Sequence, residues 1–230
     1  MSFAFKQFTI RQDRCAMKVG TDGVLLGAWA LLPPTGRILD VGTGTGLIAL
    51  MAAQRTSAEV VGVEIDPDAA QQARENVEAS PWAGRCTIVC SDIKSFESAE
   101  RFDTILSNPP YYGGTLLPSG AQRVQARHTS SLPFDLLARA AKRLLKPDVG
   151  TLQVVLPVSE EDAFLTACAP CGLFPSRRTQ VVTRRSKPPR RVLLSLSTKS
   201  SYTKEDELLL SEEDGSRSEA YKTLTKSFYL

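Results

Sequence analysis

A short apolar segment, residues 37–41, runs directly into a loop with three glycines in five positions, and residues 47–54 follow with helical spacing of apolar side chains. Glycine suits such a loop because, without a Cβ, it adopts a positive φ at no steric cost. A strand, a glycine turn and a helix in this order are typical of α/β folds, whose ligands bind at the carboxyl ends of the strands. The sequence therefore predicts a ligand site at this turn, although a glycine turn can also serve packing alone.

The spacing within the loop bears on the ligand. Gly42, Gly44 and Gly46 depart from the G-x-G-x-x-G pattern of dinucleotide sites because the third glycine comes one residue early. Asp40 stands two residues before the first glycine, where a carboxylate would repel a pyrophosphate but could accept a hydrogen bond from an ammonium group. S-adenosylmethionine, which carries an ammonium and a sulfonium, therefore fits the loop better than NAD does.

Acidic residues also end the next two predicted strands. The strand at residues 59–66 ends in Glu64 and Asp66, about 20 residues past the glycines, where such folds place a carboxylate on ribose hydroxyls. We expect Glu64 to bind the ribose, and Asp66, which precedes a proline, to cap the next helix. The third strand, residues 86–92, ends in Asp92, which is either a ligand contact or a solvated turn residue.

The tetrapeptide Asn108-Pro109-Pro110-Tyr111 follows a further apolar run. An amino group conjugated to a ring is a poor nucleophile, and two acceptors on its hydrogens favour a more pyramidal, more reactive nitrogen. The Asn108 side-chain oxygen and the Pro109 carbonyl can be those acceptors, and consecutive prolines hold the loop stiff. Tyr111 can stack on a base, a contact worth on the order of 1–3 kcal/mol. The segment predicts methyl transfer onto a planar amino nitrogen, with an ordinary proline turn as the alternative.

Positive charge is concentrated near the carboxyl terminus. The formal net charge is only +3, yet residues 172–199 contain eight cations and no acid. We predict a hairpin of strands 177–183 and 191–197 whose turn, residues 187–191, contacts phosphates. The candidate RNA contacts are Arg184, Arg185, Lys187, Arg190 and Arg191. A charged edge that discourages strand pairing is the alternative.

Acidic residues follow this basic segment. They cluster at residues 205–207 and 212–214, around three leucines, which predicts a flap with a local strand and a helix at residues 218–228. Because acids repel RNA, we expect this acidic strip to lie away from the RNA-binding face.

The D-x-G-x-G-x-G segment at residues 40–46 and the tetrapeptide at residues 108–111 resemble two motifs of class I S-adenosylmethionine-dependent methyltransferases. Members with N-P-P-Y act on adenine N6, guanine N2 or glutamine. Together with residues 3–29 and 221–230, these segments resemble the bacterial tRNA (adenine-N6)-methyltransferases that act on valine tRNA next to the anticodon. The resemblance covers nearly the whole chain. It implies an α/β, Rossmann-like class I fold: a mostly parallel seven-stranded sheet with an antiparallel C-terminal hairpin and helices on both faces.

The resemblance also implies roles for individual residues. Ile65 would lie against the adenine of the cofactor, and Asp92 would accept a hydrogen bond from the adenine amino group. Lys18, Thr21 and Asp22 would lie over its methionine end, in an N-terminal segment that we predict as a strand at residues 3–10 and a helix capped at Thr21 or Asp22. The alternative is an N-terminal hairpin and a capped helix that merely cover the sheet. The full set of predicted cofactor-binding residues is Lys18, Thr21, Asp22, Asp40, Gly42, Gly44, Gly46, Glu64, Ile65, Asp92 and Asn108.

The second aromatic residue after the motif, Tyr112, can help to seat a flipped base. With 230 residues and 42% hydrophobic content, the chain can bury one core, so we expect a single domain over residues 1–230. Within it lie an N-terminal cover (1–36), a cofactor-binding core (37–157) and the basic hairpin with the C-terminal flap and helix (172–230).

Composition limits the compartment and the partners. The longest apolar run, residues 24–32, is far shorter than the roughly 20 residues of a membrane span. Five cysteines, an odd number, suggest reduced thiols in the cytoplasm, and the C-x-x-C at residues 168–171 lacks the second pair that a zinc site needs. We expect a cytoplasmic monomer with tRNA as partner, no membrane attachment and no metal.

Several functions remain open from sequence alone. A guanine-N2 or DNA-adenine methyltransferase would share the tetrapeptide, which reads neither the base nor the 2′-hydroxyl. A protein-glutamine methyltransferase resembles a longer chain with a helical domain before the glycine loop, for which some 36 residues are too few. An inactive RNA-binding module on the same fold is the non-enzyme alternative, and intact Asp40, Glu64 and Asn108 argue against it.

Overall fold

The computed structural model of the protein describes residues 2–15, 17–110 and 132–229. In these residues, the helices are α1 (Thr21–Trp29), α2 (Leu47–Arg55), α3 (Pro67–Glu78), α4 (Phe134–Leu144), α5 (Glu161–Cys168) and α6 (Glu219–Thr225). The strands are β1 (Ser2–Ala4), β2 (Thr9–Arg11), β3 (Arg37–Val41), β4 (Glu59–Glu64), β5 (Cys86–Cys90), β6 (Thr104–Ser107), β7 (Thr151–Pro157), β8 (Phe174–Val182), β9 (Arg191–Ser197) and β10 (Lys204–Leu209).

The main sheet has the strand order β10-β8-β9-β7-β6-β3-β4-β5. Every neighbouring pair is parallel except those made by β9, which is antiparallel to β7 and β8. The predicted α/β class and the antiparallel C-terminal hairpin are confirmed. The described sheet has eight strands, one more than predicted, because β10 adds to its edge in parallel with β8.

Charge explains why the acidic strand β10 joins this edge. Its register places Glu205 opposite Arg178 on β8, and Asp206 forms an ion pair with Arg177 at 3.3 Å. Opposite charges on neighbouring strands stabilise pairing by roughly 0.2–1 kcal/mol each. The acidic segment therefore belongs to the sheet, where it pairs with part of the basic hairpin.

Helices cover the sheet on both faces, as predicted. One apolar core joins α1, α2 and the C-terminal segment through Leu26, Leu50 and Phe228. The other lies under α4 and α5 and includes Leu137 and Phe164. Both sets of side chains are almost completely buried, so the central strands are apolar on both faces, as parallel strands usually are.

The N-terminal segment differs from the prediction of one strand. It forms a separate two-stranded hairpin, in which Ser2 pairs with Arg11 and the Phe5 N–H donates to the Phe8 carbonyl at 2.8 Å. Phe5 and Phe8 are both buried and their rings stack with centroids 4.6 Å apart. Residues three apart cannot share one face of a straight strand, so the chain turns between them.

Two helix starts were predicted, with different outcomes. Asp66 caps α3 as expected, since its side chain accepts hydrogen bonds from the Asp68 and Ala69 N–H groups. The cap predicted for α1 is wrong: the helix begins after Gly20 with no side-chain cap, and Thr21 and Asp22 lie in its first turn. The Asp22 carboxylate accepts a hydrogen bond from Arg191, at the start of β9.

The topology places the glycine loop, Asn108 and the turn between β8 and β9 at one edge. Because β3, β4, β5, β6, β8 and β10 run in the same direction, their carboxyl ends meet at the same side of the sheet. The glycine loop follows β3, Asn108 follows β6, and the turn between β8 and β9 lies further along. Arg191 begins the antiparallel β9 and pairs with Pro157 at the end of β7, which brings it to this edge as well.

Gly62 in β4 should be indispensable for seating the glycine loop. A Cβ there would lie 2.7 Å from Ile88 Cδ1 and 2.9 Å from Thr43 Oγ1, so Gly62→Ala should overpack this contact and lower the free energy of unfolding by about 1–3 kcal/mol in urea titrations. Gly84→Ala is the matched control, because no atom in the described part of the chain lies within 4 Å of that Cβ position. Equal stability of the two variants would contradict this account of the packing.

Candidate active site

The glycine loop between β3 and α2 adopts a conformation that needs its glycines. Gly42, Gly44 and Gly46 have φ values of 70°, 55° and 82°, in the left-handed region that strains other residues. The Gly42 and Thr43 N–H groups donate to the Val63 carbonyl at 2.9 and 3.1 Å, which joins the loop to the end of β4. No atom of the described residues lies within 4 Å of a Cβ built on Gly42, so among these residues open space borders the backbone there.

Asp40 lies beneath this loop. Its side chain is fully buried, and Oδ2 accepts hydrogen bonds from Thr43 Oγ1 at 2.6 Å and from the Ala49 N–H at 3.1 Å. Burial raises the pKa of Asp40 to about 7, although these two bonds favour the charged form. The carboxylate therefore ties the loop to α2, while its other oxygen, Oδ1, is buried without a hydrogen-bond partner among the described residues. The contact with an ammonium group that the sequence predicts for Asp40 stays a prediction.

Glu64 ends β4 next to the loop. Its Oε2 accepts a hydrogen bond from the Gly44 N–H at 2.8 Å. Its Oε1 accepts hydrogen bonds from the Ile65 and Asp66 N–H groups at 2.9 and 3.0 Å. A carboxylate has about four acceptor sites, so further hydrogen bonds to hydroxyl groups are possible. Ile65 beside it is 50% exposed, an apolar surface at the edge of the sheet.

Asp92 lies one strand further out. The Ser91 N–H donates to the Glu64 carbonyl at 2.8 Å, which holds the ends of β4 and β5 together. Asp92 Oδ1 accepts from the Lys94 N–H at 2.9 Å, and its side chain remains partly exposed. The structure thus brings Glu64, Ile65 and Asp92 to the same side of the glycine loop.

Asn108 lies on the other side of the loop. Val41 of β3 pairs with Ser107 of β6, and Ser107 Oγ donates to the Val41 carbonyl at 2.9 Å, so the residues that follow these two strands are neighbours. The Oδ1 atom of Asn108 is buried and has no hydrogen-bond partner within the described part of the chain. Pro109 is buried and Pro110 half-buried. The predicted contacts Tyr111 and Tyr112 lie outside the described residues.

Two buried amides of α3, which the sequence analysis did not identify, hold the N-terminal segment over the loop. Asn76 Oδ1 accepts a hydrogen bond from the Arg11 N–H, and its Nδ2 donates hydrogen bonds to the Arg11 and Thr45 carbonyls. Each of these bonds is 2.9 Å long. Gln72 Oε1 accepts from the N–H groups of Asp13 and Arg14 at 3.2 Å. The available signal was two amides four residues apart, on one face of a predicted helix.

Cys15 was also missed and carries no local sequence signal. Its sulfur lies 3.7 Å from a Cβ built on Gly44, and burial is the main reason that the pKa of its thiol is raised. The chain therefore crosses the glycine loop at Cys15.

The three residues expected near the methionine end of the cofactor have different surroundings. Lys18 and Thr21 are exposed. Asp22 is mostly covered, and its Oδ2 accepts a hydrogen bond from Arg191 Nε at 2.8 Å. Arg191, a predicted RNA contact, is thus bound to the first turn of α1, and this ion pair links the basic hairpin to the N-terminal cover.

The other basic residues fall into two groups. Arg184, Arg185, Lys187 and Arg190 are exposed in the turn between β8 and β9, residues 183–190, which we name the basic tip. On β8 itself, Arg177 and Arg178 are neutralised by ion pairs, as in the 2.6 Å contact between Arg178 and Glu161. Of the cations on β8 and in the turn that follows it, those without an ion pair are therefore concentrated at the basic tip.

The acidic turn, residues 212–214, lies against this tip, so the prediction that it would be placed elsewhere is wrong. Glu213 accepts hydrogen bonds from the Ser186 N–H and hydroxyl, both at 2.9 Å. The cause is topological: the turn follows β10, whose carboxyl end lies beside that of β8.

The described residues contain neither a metal-binding cluster nor a membrane-spanning helix. No group of three or more His, Cys, Asp or Glu side chains in them is arranged to hold a metal ion. None of their helices has the length and apolar character needed to cross a membrane.

Comparisons with known proteins agree with this geometry. The family model described as Methyltransferase small domain matches residues 23–157. A tRNA1(Val) (adenine(37)-N6)-methyltransferase from Phocaeicola vulgatus is 49% identical over 228 residues, covering 99% of this chain and 97% of that protein. The protein of the same name from Bacteroides fragilis is 46% identical over 231 residues, again covering 99% of this chain and 97% of that protein.

Solved structures show the same fold. A predicted O-methyltransferase from Agrobacterium tumefaciens has a TM-score of 0.71 at 21% identity, covering 90% of this chain and 96% of that one. A glycopeptide N-methyltransferase complexed with (S)-adenosyl-L-methionine has a TM-score of 0.59 at 14% identity, covering 80% of this chain and 90% of that one.

The buried Asp40 should make stability depend on pH. Because its pKa is raised to about 7 in the folded protein, the folded state binds more protons than the unfolded chain between about pH 4 and pH 7. Its stabilising effect is complete below this window and is lost as the pH rises through it. We therefore compare the unfolding free energies of the wild type and Asp40→Asn. The wild-type value minus the variant value should decrease by at most about 4 kcal/mol from pH 4 to pH 8. A difference that stays constant with pH, measured by urea unfolding, would show that Asp40 titrates normally.

Proposed function

Because this chain belongs to the tRNA1(Val) (adenine(37)-N6)-methyltransferase family, we propose that it transfers a methyl group from S-adenosylmethionine to N6 of an adenosine next to the anticodon of valine tRNA. The family resemblance predicted from sequence is thus confirmed. The observation that carries the proposed chemistry is the position of Asn108, beside the glycine loop and with an acceptor oxygen that has no partner among the described residues.

The residues around the glycine loop fit S-adenosylmethionine. Open space at Gly42 allows a ligand to approach the backbone. The Glu64 carboxylate can accept hydrogen bonds from ribose hydroxyls, and the exposed Ile65 offers an apolar face for adenine. Asp40 acts as a positioning residue, since it holds the loop and the start of α2. When bound, S-adenosylmethionine supplies a methyl group activated by a positively charged sulfur.

Asn108 and Pro109 bind the amino group that receives the methyl group. The Asn108 side-chain oxygen and the Pro109 carbonyl each accept a hydrogen bond from the adenine amino group. Transfer of the methyl group breaks its bond to sulfur, releases S-adenosylhomocysteine and leaves a positively charged nitrogen, which then loses one proton to solvent. These contacts reduce conjugation of the nitrogen lone pair with the ring and direct it towards the cofactor. Alignment in a fixed geometry can supply a large part of the rate enhancement. The proline pair limits the movement of this loop, which keeps both acceptors in place.

The basic tip supports a nucleic-acid substrate. It lies at the same edge of the sheet as Asn108, two to three strands away, and neighbouring strands are about 4.8 Å apart, so the separation along the edge is roughly 10–14 Å. Phosphates a few nucleotides from a target base would fall within reach of Lys187 and Arg190. Contacts to phosphates fix the register of an RNA but do not read its sequence. A tRNA substrate also agrees with action in the cytoplasm.

A labelling experiment tests this function against its alternatives. The purified protein is incubated with labelled S-adenosylmethionine and with tRNA, DNA or protein from cells that lack it, and the product is hydrolysed to nucleosides or amino acids. Labelled N6-methyladenosine from the tRNA fraction alone is the expected result. N2-methylguanosine, N6-methyldeoxyadenosine or methylglutamine would each replace the proposal with another methyltransferase, and cofactor binding without transfer would indicate an inactive module.

Loss of the Asn108 oxygen should affect transfer much more than cofactor binding. Asn108→Ala should lower kcat by roughly 100-fold or more, because one well-placed hydrogen bond in an active site is worth that much. The dissociation constant of S-adenosylhomocysteine, measured by calorimetry, should change little. Asn108→Asp keeps an acceptor oxygen and should retain more activity than the alanine variant. Comparable losses of binding and transfer in Asn108→Ala would contradict the assigned role.

The basic tip should set the salt dependence of RNA binding. Replacing Lys187 and Arg190 by alanine should weaken tRNA binding and reduce the slope of log K against log salt concentration by about 1.4, since each phosphate contact to single-stranded RNA contributes about 0.7. Lys199→Ala is the matched control, because this exposed lysine follows the carboxyl end of β9 at the opposite edge of the sheet. Fluorescence anisotropy over a range of salt concentrations measures both, and an unchanged slope in the double variant would move the RNA site elsewhere.

A further inference from the structure

Ser186, in the middle of the basic tip, forms a two-point contact with a carboxylate. Its backbone N–H donates to Glu213 Oε1 and its hydroxyl donates to Glu213 Oε2, each at 2.9 Å. The local turn is closed by the Lys187 N–H, which donates to the Arg184 carbonyl at 2.9 Å. The two donors of one residue thus converge on one anion.

Cations surround the same point. The hydrogen bonds from Ser186 hold the pKa of Glu213 below its usual range, and the positive charges of Arg184 and Lys187 act in the same direction. Arg184 also lies along the acidic turn, with Nη2 3.6 Å from a Cβ built on Gly215. A backbone N–H, a hydroxyl and two cations form the donor set that binds phosphate oxygens in nucleic-acid complexes.

Hydrogen bonds within the acidic turn and the pairing of β10 with β8 hold Glu213 in this position. The acidic turn is closed by the Glu212 N–H, which donates to the Ser216 carbonyl at 2.9 Å, and by the Ser216 N–H, which donates to Asp214 Oδ1 at 2.8 Å. The β10 strand before it is in register with β8, which leads into the basic tip. Glu213 itself is exposed, and exposed charge contacts are weak and open to competition.

We propose that Ser186, Arg184 and Lys187 form a binding site for a backbone phosphate of the RNA, and that Glu213 occupies this site when RNA is absent. The inference rests on the proposed function for its ligand, but the site is defined by the described residues alone. A bound phosphate takes the place of the Glu213 carboxylate on the Ser186 donors. Glu213 therefore lowers affinity for any polyanion, and an RNA with further contacts at the active site overcomes this competition best.

The test uses Glu213→Gln, which removes the competing charge and keeps the size of the side chain. Binding of valine tRNA, measured by fluorescence anisotropy at low salt, should tighten several-fold. The slope of log K against log salt should become steeper by up to about 0.7, because the freed cations release one more counterion on binding a phosphate. Ser186→Ala in the same background should reverse part of the gain.

Glu219→Gln is the matched control, because Glu219 is an exposed acid of α6 paired with Lys222 and the substitution changes the net charge equally. It should alter tRNA affinity much less than Glu213→Gln. Unchanged or weaker binding in Glu213→Gln relative to this control would overturn the proposal and would show that Glu213 only supports the shape of the tip.

A titration with inorganic phosphate separates this site from the choice of substrate. In Glu213→Gln, the amide resonance of Ser186 should shift in a saturable manner, and in the wild-type protein the shift should be much smaller. No saturable shift in the variant would overturn the site. A shift in a protein that neither binds nor methylates tRNA would retain the site and refute the proposed function instead.

Discussion

The pairing of β3 with β6 places the two halves of the site together. Val41 and Ser107 are partners in this parallel pair and are joined by the Ser107 hydroxyl, so the glycine loop and Asn108 leave the sheet side by side. Parallel strands have their carboxyl ends at one edge, and no change in the loops alone would reproduce this proximity. The positions of the glycine loop and of Asn108, which we propose as the cofactor loop and the acceptor for the substrate, are therefore set by the core of the sheet, which is its most deeply buried part.

Charge pairing then decides which basic side chains near the carboxyl terminus stay exposed. Arg177 and Arg178 are neutralised by acids of β10 and α5, and Arg191 is bound to Asp22, whereas the cations of the basic tip stay exposed. The acidic segment that follows serves both to complete the sheet and to cover the tip through Glu213. The positive surface is thus smaller than the sequence suggests, and it lies at the edge that also holds Asn108.

Sequence reasoning identified the features that depend on local pattern and failed where distant segments meet. The glycine loop, the acids at the ends of the strands and the cap at Asp66 follow from spacing and backbone preference, and the structure contains all of them. The burial of Asp40 depends on how α2 packs over β3, and the contact between Ser186 and Glu213 joins residues 27 apart. Such contacts leave no periodic signal, so the distant position predicted for the acidic strip was wrong. The single strand predicted at the N-terminus was wrong for a local reason, because the chain turns between Phe5 and Phe8.

The central claim is that the Asn108 edge presents an adenine amino group to S-adenosylmethionine. The most direct measurement is methyl transfer by the wild-type protein to a valine tRNA transcript, compared with a transcript in which guanosine replaces the adenosine next to the anticodon. The account predicts N6-methyladenosine in the first transcript and no transfer to the second. Equal transfer to both transcripts would contradict it. It would also be contradicted if neither transcript, nor valine tRNA isolated from cells lacking the protein, received a methyl group.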